Sequence, residues 1–211
     1  MITHYKPSFA EEKRLWSQGY LLVAGVDEVG RGALMGPVVA AAVILPHNLK
    51  APWRREVRDS KQLRPTAREY LFEKIKGVAV AVGTGMMSHE VIDSAGIATA
   101  TRLAMAAAIE RLVPGPQYLL IDYLELPEVS LPQRGIVFGD SLCFSIACAS
   151  IIAKVTRDRL VVAMDREYPG YGLAGHKGYG TPEHLDCLRR NGPSTIHRRS
   201  FHPVCDMIKV L

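Results

Sequence analysis

The chain has 211 residues, 48% hydrophobic and 22% charged, with a formal net charge of +5. That length suits one large domain, or one domain with an added C-terminal piece, and the positive charge favours an anionic partner, nucleic acid first. The longest apolar run, PVVAAAVILP, is too short to span a bilayer, the N-terminus lacks an apolar signal region, and no two of the four cysteines have C-x-x-C spacing, so the sequence reads as a cytoplasmic protein with buried, reduced thiols and no membrane partner.

In chain order, FAEEKRLWSQGY predicts a short helix stopped at Gly19, and LLVAGVD predicts a buried strand. PVVAAAVILP, bounded by Pro37 and Pro46, predicts a second strand. GVAVAVGTG from Gly77 predicts a third. Between these two lies a basic loop and helix: residues 50 to 74 hold eight Lys or Arg against four acids. SHEVIDSAGIATATRLAMAAAIERLV predicts one or two helices, with Ser88 as N-cap. QYLLID and RGIVFGD predict the fourth and fifth strands. SLCFSIACASIIAKVTRDRLVVAMDREY predicts one long helix whose small residues allow close packing on a sheet. YPGYGLAGHKGYG predicts a loop, TPEHLDCLRRNG a helix capped by Thr181 and ended by Gly192, and the terminus a short helix. The order implies a mixed sheet with helices on its faces, the first three strands as an antiparallel meander and the fourth parallel to a neighbour.

Three acids close apolar strand-like runs: Asp27 after LLVAGV, Asp122 after QYLLI and Asp140 after RGIVFG. A lone Asp there is commonly a turn or cap residue. Together, with Glu28 beside Asp27, they form a candidate cluster, since sites in α/β sheets form where strands end. Clustered carboxylates raise one another's pKa and need cations, and hard oxygen donors suit Mg²⁺ or Mn²⁺. GRGALMG after the first strand looks like a nucleotide loop, but such a loop must open a helix. Here another strand follows, so the glycines instead allow close backbone approach to a ligand.

These motifs, AGVDEVGRG, DSK at 59 to 61, LLID, GD at 139 and 140, ASIIAKVTRD, YPGYG, HKGYGT and HRRSF, resemble bacterial ribonuclease HII from about residue 20 to about 204. The short N-terminus separates the chain from ribonuclease HIII, which carries an extra domain. The resemblance implies an α/β ribonuclease H-like fold, a mixed five-stranded sheet flanked by helices with a C-terminal helical extension. The expected divisions are an N-terminal helical extension (1–18), a catalytic core (19–167) and an extension completing the substrate cleft (168–211). It implies cleavage of RNA in RNA–DNA hybrids and 5′ to single ribonucleotides in duplex DNA. Asp27, Glu28, Asp122 and Asp140 become the catalytic carboxylates, holding two Mg²⁺ or Mn²⁺ ions. Gly30, Arg31 and Gly32 become readers of the ribonucleotide 2′-OH, and Tyr179 the junction sensor. Ser60, Lys61, Lys177, Arg198 and Arg199 are assigned to substrate, the basic ones as phosphate contacts. Replication or repair proteins are expected as partners of a monomer.

The chain departs from the family pattern at Phe138, where lysine is common, at Tyr123, where glycine is common, at Ala33 in place of proline, and at SLCFS after Asp140. Losing the lysine removes charge compensation, and Tyr123 is expected to narrow the cleft beside Asp122. The rival expectation is a hybrid-binding protein of weak or lost activity.

Overall fold

A computed structural model describes residues 6–209, so the first five residues of the expected N-terminal extension and the last two of the C-terminal one lie outside it. Its elements are α1 (Ala10–Trp16), β1 (Val23–Val29), β2 (Val38–Ile44), α2 (Pro65–Val78), β3 (Ala81–Met87), α3 (His89–Ala95), α4 (Ile97–Glu110), β4 (Tyr118–Asp122), β5 (Gln133–Ile136), α5 (Gly139–Leu142), α6 (Phe144–Glu167), α7 (Leu173–His176), α8 (Pro182–Asn191) and α9 (Val204–Lys209). Two 3₁₀ turns, Pro52–Glu56 and Ser60–Gln62, occupy the basic stretch before α2.

The five strands form one sheet in the order β3-β2-β1-β4-β5. β1 pairs antiparallel with β2, and β2 with β3, which is the expected meander. β4 runs parallel to β1 because α3 and α4 carry the chain back before it, and β5 runs parallel to β4 after a helix-free connection, residues 123 to 132. β2 is buried along its whole length, which is why it reads as an unbroken apolar run. Its side chains alternate: Ala41 and Val43 join Leu71, Phe72 and Ile75 of α2 and the apolar side of α6, while Val38, Ala40, Ala42 and Ile44 join Ala100, Ala104, Met105 and Ala108 of α4. Small residues such as Ala147, Ala149 and Ala153 let α6 lie close against the sheet.

Two expectations are corrected. The long helix does not begin at Ser141. Gly139–Leu142 forms a separate turn, Cys143 is extended, and α6 starts at Phe144. The buried Glu12 of α1 fixes that start, since its carboxylate accepts the Ser145 N–H at 2.7 Å. Ser88 stands at the N-cap of α3 as expected, without a side-chain cap bond. YPGYGLAGHKGYG is not all loop, since α7 (Leu173–His176) lies within it.

Residues 171 to 204 build a small apolar cluster of their own. Tyr171, Leu173, Leu188, Ile196 and Val204 pack on Val161 of α6 and on Leu34 and Met35, which follow β1. Among the described residues no helix is long and apolar enough to cross a membrane.

Candidate active site

β1 and β4 set the first half of the site. Val26 stands opposite Ile121 in parallel register, so the next residues, Asp27 and Asp122, are neighbours at one end of the sheet. Asp27 and Glu28 lie inside β1 rather than beyond it, still paired with Ala41 and Ala40. Asp140 does not close β5, which ends at Ile136; it stands in the first turn of α5. The turn is tied to Asp122, whose Oδ1 accepts the Gly139 N–H at 2.7 Å. Asp27 Oδ1 accepts the Glu28 N–H at 2.7 Å, and the Ser150 hydroxyl of α6 bonds the same carboxylate. Ser60 Oγ lies 2.9 Å from Ser150 Oγ. Ser60, expected at the substrate, is thus buried and braces Asp27 through Ser150.

The cluster is under electrostatic load. Burial, then the charges of Glu28 and Asp122, push the Asp27 carboxyl well above the usual range. Burial raises Glu28 and Asp122 as well, and burial with Asp59 and Asp122 raises Asp140 to about 6. Asp59 was quoted in a motif but given no role; it caps the turn at Ser60 through the Lys61 N–H and adds a fifth negative charge. Against these stand two cations. Lys61 Nζ is 3.9 Å from Asp140 Oδ2, and Arg31 Nη1 is 3.5 Å from Glu28 Oε1. Burial pulls the Lys61 ammonium down, but Asp59, Asp140, Asp27 and Asp122 outweigh it and raise it. Two long ion pairs leave the carboxylates under-compensated, and an all-oxygen donor set fits hard divalent cations.

The second half of the site is a wall of three loops. Leu34 N–H donates to the Gly178 carbonyl at 2.8 Å, Ala33 pairs with Tyr179, and Met35 pairs with His197. Two buried arginines lock the wall from behind. Arg198 donates to the carbonyls of Gly30, Arg31 and Gly36 at 2.7, 2.8 and 3.1 Å. Arg157 of α6 donates to those of Pro37, Lys177 and Met35 at 2.9, 3.0 and 3.2 Å. Gly30 has φ of +92°, and a Cβ there would stand 2.2 Å from Arg157 Nε, so only glycine fits. Gly32 has open space where its Cβ would be, which leaves its backbone accessible. Gly30, Arg31, Gly32 and Tyr179 line one cavity of about 520 Å³ together with Glu28, Ser60 and Lys61. The Tyr179 ring lies under Lys154 Nζ and the Arg157 guanidinium, each 5.4 Å from its centroid.

Arg198 is therefore a correction: expected at a phosphate, it is fully buried, and its donors are spent on loop carbonyls. Lys61 is 78% exposed at its side chain and free to turn toward an anion. Lys177 takes a left-handed backbone, and its ammonium turns back onto the Ala174 carbonyl. Arg199 is exposed, with its N–H anchored on Asp93 of α3. Tyr123 and Phe138 are 65% and 72% exposed, both with left-handed backbones. Neither lines the cavity, and nor does Asp122.

A histidine relay went unnoticed in the sequence. His184 Nδ1 donates to the Tyr179 carbonyl at 3.0 Å, which leaves its Nε2 to accept from His197 Nε2, 3.1 Å away. His197 Nδ1 then accepts the Ser194 N–H at 3.0 Å. The ring of His176 stacks on His184 with centroids 4.2 Å apart. The relay works only with neutral rings. Burial, then His184, depress His197 to about 4, against 6.5 ordinarily. The unfolded chain binds that proton at higher pH, so stability present above about 6.5 is lost as pH falls toward 4. Between pH 7.5 and 4, wild type should lose about 3 kcal/mol relative to His197→Gln in urea unfolding. Parallel pH profiles for the two proteins would refute the relay.

A second group escaped notice. His202, Cys205 and Asp206, at the start of α9, bring possible ligand atoms within 4.8 Å of one another, and His202 Nδ1 is 2.8 Å from Asp206 Oδ2. Among the described residues no three of the four carboxylates at the sheet end converge so tightly.

Comparison with known proteins bears on this arrangement. The sequence model described as Ribonuclease HII matches residues 24–204. A ribonuclease HII of Dehalococcoides mccartyi is 60% identical over 202 residues, 96% of this chain and 95% of the relative. One of Roseiflexus castenholzii is 51% identical over 209 residues, 98% and 93% of the two chains. The crystal structure of ribonuclease H2 from Pyrococcus horikoshii matches with TM-score 0.73 at 25% identity, over 89% of this chain and 97% of that one. The ribonuclease HII in a PCNA complex from Archaeoglobus fulgidus matches with TM-score 0.73 at 26% identity, over 86% and 95%. A ribonuclease HIII solved in complex with Mn²⁺ shares the fold, with TM-score 0.66 at 19% identity over 90% and 70%. With the family pattern running from β1 to the start of α9 and close relatives spanning nearly the whole chain, the protein belongs to the ribonuclease HII family of endoribonucleases.

Proposed function

We propose that the protein is a divalent-metal-dependent endonuclease cutting the RNA of RNA–DNA hybrids and the 5′ side of single ribonucleotides in duplex DNA, leaving 3′-OH and 5′-phosphate ends. The observation that carries this reading is the adjacency of two things. One is an under-compensated group of four carboxylates, and the other is a cavity walled by accessible backbone and one aromatic ring. Asp27, Glu28, Asp122 and Asp140 would hold Mg²⁺ or Mn²⁺, and their wide spacing suits two ions better than one. Bound ions supply Lewis acidity and a more acidic water.

The chain's own groups do the recognition. The backbone of Gly30, Arg31 and Gly32 meets the ribose, where a 2′-OH separates RNA from DNA. Tyr179, with Lys154 and Arg157 each 5.4 Å from its ring centroid, meets the sugar at the junction. Lys61, with Lys177 and Arg199 farther out, meets phosphates. Residues 168–211 complete the cleft by supplying Tyr179 and the relay behind it. A replication or repair protein is a fitting partner for a monomer of this kind, as for the archaeal relative.

The second reading, hybrid binding with weak activity, draws on exposed Tyr123 and Phe138 beside Asp122 and Gly139. One assay separates them: a duplex with one ribonucleotide, an RNA–DNA hybrid and an all-DNA duplex, each with Mg²⁺ and Mn²⁺. Cleavage of the first two alone is expected. Binding without cleavage favours the second reading, and cutting the all-DNA duplex overturns both.

A further inference from the structure

We propose that the groove between α1 and the turn Pro52–Glu56 is a second nucleic-acid contact, holding the phosphate backbone of the substrate duplex away from the scissile bond. The inference rests on the nuclease reading above and extends it. The groove has a volume of about 970 Å³ and is lined by five cations, Lys6, Lys13, Lys50, Arg54 and Arg55, and by no carboxylate. Among the described residues none of the five has an acidic oxygen within 4.0 Å, whereas Arg14, Arg134, Arg159 and Arg189 elsewhere on the surface are all ion-paired. A concentration of unpaired positive charge in a concave surface favours a polyanion, and the counterions it would release make binding salt-dependent.

The floor of the groove is built rather than incidental. The Arg54 guanidinium stacks 4.6 Å from the Phe9 centroid and 5.5 Å from that of Phe144, while its Nη1 donates to the Leu49 carbonyl at 2.7 Å. Its Nε is buried with no hydrogen-bond partner, so the fold leaves that donor unsatisfied. The groove is also tied through the backbone to the catalytic end of the sheet. Ser8 N–H donates to the Leu142 carbonyl and Phe144 N–H to the Ser8 carbonyl, each at 3.0 Å, just after Asp140. On the other side, the chain runs from Arg55 through Val57 of the groove to Lys61, 3.9 Å from Asp140. Six residues span at most about 20 Å. A duplex seated on the carboxylates, with about 34 Å per turn, therefore reaches the groove within one turn.

The test is Lys13→Gln/Lys50→Gln/Arg55→Gln, three exposed side chains outside the catalytic cavity. Substrates are a long duplex of about thirty base pairs and a short one of about eight, each with one central ribonucleotide, chosen to pass or stop short of the groove. For the long duplex, KM should rise about tenfold and the log–log salt slope of Kd should shrink by about 3, with kcat unchanged. The short duplex should be cut as by wild type. Binding is measured by anisotropy without metal, so the groove is judged even if wild type cleaves nothing, a result that would defeat the nuclease reading instead. Unchanged affinity for the long duplex would overturn the proposal and leave the groove to an acidic protein surface. Equal weakening on both lengths would overturn it too, since that marks a diffuse field rather than a contact.

Discussion

Asp27→Asn and Asp122→Asn should each reduce cleavage by at least about 10³-fold while making the metal-free protein more stable, not less. The two effects have one origin. Asp27 is buried beside Glu28 and Asp122, and its ionised form is disfavoured in the absence of added cation. An asparagine keeps the shape and an acceptor for the Glu28 N–H but removes the repulsion. Thermal unfolding reads this directly. In wild type, Tm should climb when Mn²⁺ or Mg²⁺ is added, because a ligand bound only by the folded state stabilises it. In Asp27→Asn the starting Tm should be higher and the metal response largely gone. Near-wild-type turnover in either variant would remove the carboxylates from the chemistry. A variant that unfolds would show that the cluster serves the fold.

The second large effect is expected from Arg198→Leu. The leucine fills part of the space but abandons the carbonyls of Gly30, Arg31 and Gly36. Stranded acceptors cost about 1–3 kcal/mol each, so a loss of at least about 3 kcal/mol in denaturant unfolding is expected. Cleavage at a single embedded ribonucleotide should fall about 10²-fold, since an error of about 1 Å in positioning suffices for that. The metal-induced rise in Tm should survive, because no carboxylate is touched. Unchanged stability would mean the three carbonyls find water instead, and the arginine does not hold the wall. Exposed Arg199, one position along, is the control and should cost little stability.

The contrast between these neighbours shows how far a sequence can be read. The strands and the meeting of Asp27 with Asp122 were legible because both follow period-independent apolar runs, and a helical crossover makes the strands parallel. A metal-holding role could be proposed for the carboxylates because such a group has few stable explanations. HRRSF, by contrast, looks like a basic surface patch. Nothing local to Arg198 reveals that its acceptors lie 168 positions away at Gly30. Arg157 was hidden for the same reason, as one cation in a helix that also carries Arg159 on its exposed side. The break at Cys143 depended on Glu12, 133 positions from Ser145. The neutral rings of His184 and His197 depended on Tyr179 and Ser194 together. What escaped was long-range satisfaction of polar groups, which carries no periodicity.

The bonds from Arg198 to Gly30 and Arg31 also set an order of events during synthesis. The chain is made from its N-terminus, and the sheet with all four carboxylates is encoded before residue 141. The loop wall beside them is not, because Arg157, Tyr179 and Arg198 arrive later and must close loops of more than a hundred residues. A nascent chain would thus carry the four carboxylates before the wall proposed to read the ribose is locked in place. Tying the GRG loop to Arg198 makes the proposed discrimination a later acquisition than the carboxylate cluster as the chain is made.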